Sequence, residues 1–167
     1  IEILKNNGFN IVRLRLYNDP GNPDYSPSNR LPAGISGPED VLRLAKRAKQ
    51  AGMQIQLTFH YSDYWTNGEE QNKPHEWEAL DFDGLKKALY DFTFDFMNKM
   101  KAQGTTPEFV SLGNEVQAGM LYPDGSCDNF AQLSELFNTG YDAVKAVSPD
   151  SKVIIHSAGA GDKDLYN

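Results

Sequence analysis

The chain reads Phe109-Val110-Ser111-Leu112-Gly113-Asn114-Glu115 at its most informative point, where an apolar run ends in an amide and a carboxylic acid. The run is typical of a buried β-strand. In a parallel α/β barrel, catalytic groups lie at the carboxyl ends of the strands. The stretch therefore predicts a barrel strand that carries Glu115 as a catalytic group at its end. The second carboxylate that such chemistry needs is not evident elsewhere among the 167 residues.

Strand and helix patterns alternate on both sides of this stretch. Period-two stretches rich in branched and aromatic side chains predict strands over residues 10–17, 54–61, 109–116 and 152–158. Helical periodicity between proline, acidic and glycine end signals predicts helices over residues 38–51, 83–103 and 129–147. Strands joined by helices form a parallel sheet through right-handed crossovers. We interpret the chain as about half of a (β/α)8 TIM barrel, an α/β fold.

The ends of the chain and its composition set further limits. The first residues, Ile1-Glu2-Ile3-Leu4-Lys5, include no methionine and are typical of the end of a helix. We therefore expect residues 1–167 to be one partial catalytic domain of a longer protein, with its N- and C-terminal parts missing. No signal peptide is visible, and no apolar run approaches the roughly 18 residues of a membrane span. The net charge of −7 argues against nucleic acid as a partner, and the single cysteine excludes an internal disulfide.

Alternation within the strands separates their side chains into two faces. Helices cover the outside of a barrel, so the apolar set must face outward and the polar set inward. Five charged or titratable residues then converge inside, near the carboxyl ends of the strands: Arg13, Arg15, His60, Glu115 and His156. Because buried charges need partners or a purpose, this convergence favours a site over a structural ion-pair network. The two arginines would repel a cation, so we expect no metal and no cofactor.

Four motifs carry a resemblance to a known family. They are Gly8–Arg15, Phe59–Asp63, Gly113–Glu115 and Gly119–Gly125, and they run in order over nearly the whole chain. Together they resemble glycoside hydrolase family 53, whose members are endo-β-1,4-galactanases that cut galactan and type I arabinogalactan. Asn-Glu alone is common to the wider clan of retaining barrel glycosidases, but the His-Tyr-Ser-Asp and Gly-Met-Leu-x-Pro motifs make the match specific.

The resemblance implies a retaining barrel enzyme with two catalytic glutamates. Glu115 matches the acid/base, and the nucleophile is expected on the seventh strand, beyond Asn167. The strand that starts at Asn10 is then the second of the barrel, so the chain runs from the tail of helix 1 through strand 5. The resemblance also implies a secreted or cell-surface protein whose partner is galactan or arabinogalactan.

The remaining candidate residues receive binding roles. We expect Asn114 to bind the sugar 2-hydroxyl and Arg13, with Arg15 as second choice, to keep the nucleophile ionised. The other expected contacts to carboxylates or sugar come from His60, Asp63, Trp65, Tyr122 and His156. Of these, Tyr122 occupies a position where the family has a tryptophan. We expect Trp77 to pack in the core and His75 to be a solvated loop residue. Asp162 and Asp164 keep two interpretations, substrate binding and simple solvation.

The leading hypothesis is thus endo-acting, retaining hydrolysis of β-1,4-galactosidic bonds by double displacement. One alternative is another retaining β-glycanase of the same clan, a mannanase or a glucanase. A second alternative, from a different class, is a non-catalytic carbohydrate-binding barrel. We expect the 167 residues alone to be inactive. The sequence does not determine the oligomeric state.

Overall fold

Helices alternate with strands in a computed structural model of the chain, which describes residues 1–22, 32 and 34–159. The α-helices are α1 (Glu2–Asn6), α2 (Pro38–Gln50), α3 (Phe82–Ala102) and α4 (Phe130–Val147). The strands are β1 (Ile11–Leu16), β2 (Gln54–Phe59), β3 (Phe109–Leu112), β4 (Gly119–Met120), β5 (Gly125–Ser126) and β6 (Lys152–Ile154). Asp162 and Asp164 lie outside the described residues.

The main sheet is parallel and has the strand order β1-β2-β3-β6, which is also the order along the chain. Leu14 pairs with Leu57, Leu57 with Val110, and Val110 with Val153, so equivalent residues lie at one level of the sheet. One helix connects each strand to the next. The sequence prediction of a partial (β/α)8 barrel is confirmed.

The predicted division of the strands into two faces is also confirmed for the apolar side chains. One face of the sheet packs against the helices, and its buried residues include Leu14, Leu16, Ile55, Leu57, Phe59, Val110 and Leu112. Buried side chains of α3 and α4, such as Leu89 and Leu136, complete this core. On the opposite, inner face, Thr58 and Ser111 are buried, whereas Arg13 and Arg15 are exposed. The two arginines therefore lose less hydration than we expected, whereas the buried His60 bears a larger desolvation cost.

All four strands of the main sheet end earlier than the apolar pattern predicted, β1 by one residue at Leu16. β3 ends at Leu112 because Gly113 has a φ of 80° and turns the chain out of the sheet. β2 ends at Phe59, and Tyr61 has a φ of 52°. β6 ends at Ile154 instead of residue 158. The segments beyond these ends are irregular, and they carry most of the candidate residues.

Two long segments follow β2 and β3 on the same side of the sheet. Residues 60–81 lead into α3, whose first turn is capped by Asp81 through a hydrogen bond from the Gly84 amide. This cap explains why α3 begins at Phe82 and not at Asp83. Trp77 is buried against Tyr61 and Phe92, as predicted from its lack of a functional motif.

None of the helices in the described part combines the length and apolar character required to cross a bilayer.

Gly119 is the first residue of β4, and its backbone lies very close to that of β5. Its φ of 114° and ψ of −168° fall in a region that only glycine adopts readily. A Cβ atom at this position would overlap the Gly125 carbonyl oxygen of the paired strand. The close approach of the two backbones after β3 therefore requires glycine.

We predict that Gly119→Ala lowers the free energy of unfolding by about 2–4 kcal/mol, because backbone strain and steric overlap add. The matched control is Gly104→Ala, where φ is 77° and no atom lies within 4 Å of the new Cβ. That control should cost only about 1 kcal/mol. Urea denaturation of both variants measures the difference, and equal losses would contradict the steric argument.

Candidate active site

The turn that carries Glu115 follows β3 directly. Gly113 has a φ of 80°, and Glu115 itself lies in the left-handed region with φ 54° and ψ 53°. A left-handed conformation costs a non-glycine residue about 1–2 kcal/mol, and such strain is found where neighbouring contacts hold it in place. Glu115 is half-buried and leads into a short 3-10 helix, Val116–Ala118. The backbone of the turn is therefore fixed by its surroundings.

Asn114 joins three elements through its amide group. Its Nδ2 donates to the Thr66 carbonyl at 2.7 Å, and its Oδ1 accepts from Arg13 Nη2 at 2.5 Å. The Thr66 carbonyl accepts only, so it identifies which end of the amide is nitrogen. Arg13 is held at a second point, where Nε donates to Thr58 Oγ1 at 2.9 Å. Strand β1, the segment after β2 and the turn after β3 thus share one hydrogen-bond network.

His156 holds the same turn from the neighbouring strand. The Glu115 amide lies 3.3 Å from His156 Nδ1, and the Val116 amide donates to the His156 carbonyl at 2.8 Å. The same Nδ1 lies 3.2 Å from Asn114 Oδ1, so it has both a donor and an acceptor within reach, and either neutral tautomer finds a partner. Burial and the charge of Arg13 lower the pKa of His156, and the charge of Glu115 opposes them. These contacts favour the neutral ring.

His60 is also a neutral imidazole. Its Nδ1 accepts from the Thr66 amide at 3.3 Å and lies 2.8 Å from Thr66 Oγ1. The ring is 1% exposed, and Nε2 has no hydrogen-bond partner among the described residues. Burial, followed by the charges of Arg13 and Arg15, lowers the pKa of His60 to about 3. At neutral pH the unpartnered Nε2 therefore carries a hydrogen and is a donor.

Trp65 lies over the same part of the inner face. Its ring centroid is 4.9 Å from the guanidinium carbon of Arg15 and 5.5 Å from the ring of His60. The side chain is 40% exposed although it contacts both residues. Trp65 thus presents an open aromatic surface beside the predicted site residues.

Asp63 and Tyr122 have surroundings that the sequence did not predict. Asp63 is 2% exposed, and its two oxygens accept from the backbone amides of Asp19 and His75 at 2.8 and 2.9 Å. The carboxylate therefore joins two segments of backbone, which we had not expected from the sequence. Tyr122 lines a cavity of about 270 Å³ with Tyr64 and other residues. Its backbone amide donates to the Gln71 carbonyl at 2.8 Å. His75 is exposed, as predicted.

Sequence reasoning missed three uncharged residues of this network. Thr58 anchors Arg13, Thr66 binds both His60 and Asn114, and Gln71 donates to the carbonyls of residues 114 and 115. Thr58 had a detectable signal, since it belongs to the inward-facing set of β2. Thr66 and Gln71 lie in a polar stretch with no periodicity, so only the fold brings them to the turn.

The assembled groups have a defined chemical capacity. One carboxylic acid lies in a fixed turn, surrounded by an arginine, two neutral imidazoles and an amide. Glu115 is the only carboxylate of the described residues whose charge affects the pKa of Arg13. Residues 1–22, 32 and 34–159 contain no group of three His, Cys, Asp or Glu side chains that could hold a metal. The arrangement fits proton transfer by one acid beside a cationic anchor.

Comparison with known proteins identifies relatives of the whole chain. The model of glycosyl hydrolase family 53 matches residues 1–167. The arabinogalactan endo-β-1,4-galactanase of Thermothelomyces thermophilus is 36% identical in an alignment of 167 positions that covers 99% of this chain and 47% of that protein. The structure of the Ignisphaera aggregans GH53 catalytic domain matches with a TM-score of 0.89 and 37% identity, covering 99% of this chain and 45% of that one.

A second solved structure, from work on two fungal β-1,4-galactanases, matches with a TM-score of 0.88 and 34% identity. It covers 99% of this chain and 47% of its own. The chain thus spans about half the length of the relatives that it matches.

We predict that His60 makes the folded protein less stable as pH falls from 6.5 towards 3. The pKa of His60 is about 3 in the fold against 6.5 ordinarily, so in this window the unfolded chain binds the extra proton. Each such proton contributes a slope of up to about 1.4 kcal/mol per pH unit. In His60→Asn, an amide oxygen replaces Nδ1 as acceptor and does not titrate. The stability difference between wild type and this variant should therefore shrink by about 1–3 kcal/mol between pH 7 and 4.5.

Urea denaturation at several pH values measures this difference, in which titrations common to both proteins cancel. Parallel curves for His60→Asn and the wild type would show that His60 does not titrate abnormally.

Proposed function

The chain belongs to glycosyl hydrolase family 53, and on that premise we propose that the protein containing it hydrolyses internal β-1,4-galactosidic bonds of galactan or type I arabinogalactan, with retention of configuration. The names of the related galactanases support the substrate. The observation that carries the proposal is the fixed turn at Asn114 and Glu115, which presents one carboxylic acid at the end of a barrel strand. We further propose that the protein acts outside the cell.

Glu115 is the proposed acid/base. Glycosidic cleavage needs an acid that protonates the leaving oxygen and a second carboxylate, about 5–5.5 Å away in retaining enzymes, that forms a covalent glycosyl intermediate. Glu115 would donate its proton in the first step. In the second step it would take a proton from the water that releases the sugar. The nucleophile is proposed to be a carboxylate outside the 167 residues.

Arg13 is the proposed partner of that nucleophile. Its Nε and Nη2 bind Thr58 and Asn114, so the plane of the guanidinium is fixed. The remaining N–H donors of the fork suit a carboxylate. The charge of Arg13 would keep such a carboxylate ionised and therefore nucleophilic.

The sugar contacts are proposed from neutral donors and one aromatic ring. Asn114 uses one of its two amide hydrogens on the Thr66 carbonyl, and we assign the other to the sugar 2-hydroxyl. His60 supplies an Nε2–H donor, and His156 contributes through its hold on the turn. Trp65, held by Arg15, offers its exposed surface to the apolar face of a galactose ring. Tyr122 is retained as a stacking residue, whereas Asp63 is left out because both of its oxygens are engaged.

We propose that residues 1–167 form part of one catalytic domain and do not hydrolyse galactan alone. The support is chemical: a double displacement needs two carboxylates, and only Glu115 acts on Arg13 within the described residues. Turnover of galactan by the isolated chain would overturn this part of the proposal.

The full-length protein should release oligosaccharides from β-1,4-galactan and leave mannan and cellulose largely intact. Reducing-sugar assays with the three polysaccharides measure this preference, and chromatography of early products separates internal from terminal cleavage. Preferential release from mannan or cellulose would favour the alternative clan members. No release from any of the three would favour a binding barrel.

Glu115→Gln should lower kcat/KM on galactan at least about 100-fold, because general acid–base catalysis contributes about 10²–10⁴-fold. The control is Glu108→Gln, which lies before β3 at the opposite end of the strand and binds Lys49 and the Ile55 amide. That change should reduce stability while kcat/KM stays within about threefold. Retention of full activity by Glu115→Gln would refute the acid/base assignment.

A further inference from the structure

We propose that Gln71 is a positioning residue for the acid/base: its side-chain amide holds the left-handed turn that aims the Glu115 carboxyl. The inference rests on the proposed function and assigns a role to a residue outside the predicted site. Gln71 touches the backbone of the turn and not the Glu115 carboxyl. Its effect is therefore expected on proton transfer and not on sugar binding.

The contacts of Gln71 are unusually concentrated for an uncharged loop residue. The side chain is 1% exposed, and Nε2 lies 2.8 Å from the Asn114 carbonyl oxygen, 2.7 Å from that of Asn67 and 3.2 Å from that of Glu115. All three partners are acceptors, which fixes this end of the side chain as the nitrogen. One amide group therefore joins the segment after β2 to two successive carbonyls of the turn.

The turn needs such a hold because the sheet no longer provides one. Pairing of β3 with β2 ends at Leu112 and Phe59. Glu115 then adopts φ 54°, which costs about 1–2 kcal/mol unless other contacts favour it. The φ and ψ of a residue set the direction of its Cα–Cβ bond. Relaxation of the turn to a right-handed conformation would therefore carry the carboxyl away from its present direction.

Gln71 and His156 hold opposite groups of the same backbone. Gln71 donates to the carbonyls of Asn114 and Glu115, while His156 accepts from the amides of Glu115 and Val116. The amides of the turn are thus bound by a residue that follows β6, and its carbonyls by a residue in the segment after β2. Together the two residues leave the turn little freedom to rotate.

The segment that bears Gln71 is itself anchored. The Gln71 carbonyl accepts from the Tyr122 amide at 2.8 Å, and Lys73 Nζ lies 2.5 Å from Asp124 Oδ2. The Lys73–Asp124 pair is largely buried, and it connects the segments after β2 and β3 a second time. Because the backbone of Gln71 is held in place, its side chain can fix the positions of the turn carbonyls that it binds.

The choice of glutamine also fits acid catalysis. A lysine or arginine would supply the same hydrogen bonds but would place a positive charge beside Glu115. That charge would favour the ionised carboxylate, whereas a general acid must keep its proton. Glutamine supplies two N–H donors without charge.

The test compares two substrates that differ in their need for a proton. In galactan the leaving group is a sugar oxygen that must be protonated as the bond breaks. In the 2,4-dinitrophenyl glycoside of β-1,4-galactobiose the leaving group is a phenolate, which needs no acid. The measured quantity is kcat/KM of the full-length protein, which reports only the steps up to formation of the glycosyl intermediate. The variants are Gln71→Met, which keeps the size of the side chain, and Gln71→Glu, which replaces the donor nitrogen by oxygen.

Both variants should lose about 30- to 100-fold in kcat/KM on galactan and no more than about threefold on the aryl substrate, because a displaced acid impairs only protonation. The matched control is Gln103→Met. Gln103 Nε2 donates to the Leu42 carbonyl at 3.0 Å and to Thr105 Oγ1 at 2.7 Å, after the end of α3. This control removes a similar pair of bonds and should leave the ratio of the two kcat/KM values unchanged.

The ratio decides the outcome even where a variant loses stability, since loss of folded protein lowers both activities equally. A ratio within twofold of the wild type for both variants would overturn the role of Gln71. If the wild-type protein cleaves neither substrate, the proposed function fails and the inference fails with it. Wild-type cleavage with an unchanged ratio in the variants removes the inference alone.

Discussion

The amide of Asn114 is the contact on which the rest of the site depends. It binds Arg13 from β1 and Thr66 from the segment after β2, and it belongs to the turn after β3. The adjacent peptide groups bind Gln71 and His156. Every strand of the main sheet therefore contributes to one network around two residues. A change in the position of any strand end would be transmitted to Glu115 through hydrogen bonds and not through loose contacts.

The network is stable because the strands have an apolar outer face and a polar inner face. The outer face buries branched and aromatic side chains against α2, α3 and α4, and this burial supplies the favourable free energy of folding. The inner face contains polar groups whose burial is tolerated because they bind one another, as Arg13 does with Thr58. Packing on one face thus fixes the strands firmly enough to hold a polar site on the other.

Sequence patterns predicted the parts of the structure that follow from periodicity. They predicted the order of the four main-sheet strands and of the helices between them, the outward set that includes Leu57 and Val110, and the meeting of Arg13, Glu115 and His156, but not β4 and β5. They did not predict where the strands end, because that depends on the positive φ of single residues such as Gly113. They also did not predict the backbone contacts of Asp63, since a carboxylate that binds backbone amides looks the same in sequence as one that binds sugar.

The electrostatics of the inner face explain why neutral groups dominate around the acid. Arg13 and Arg15 place two positive charges there. Burial first, and then these charges, lower the pKa of His60, so its ring remains uncharged. Protonation of His60 or His156 would add like charge beside the arginines and is therefore disfavoured. Against two arginines, Glu115 is the one carboxylate that acts on Arg13 among the described residues. A second carboxylate beside Arg13 would complete the charge balance, because the charge of the arginine would keep it ionised.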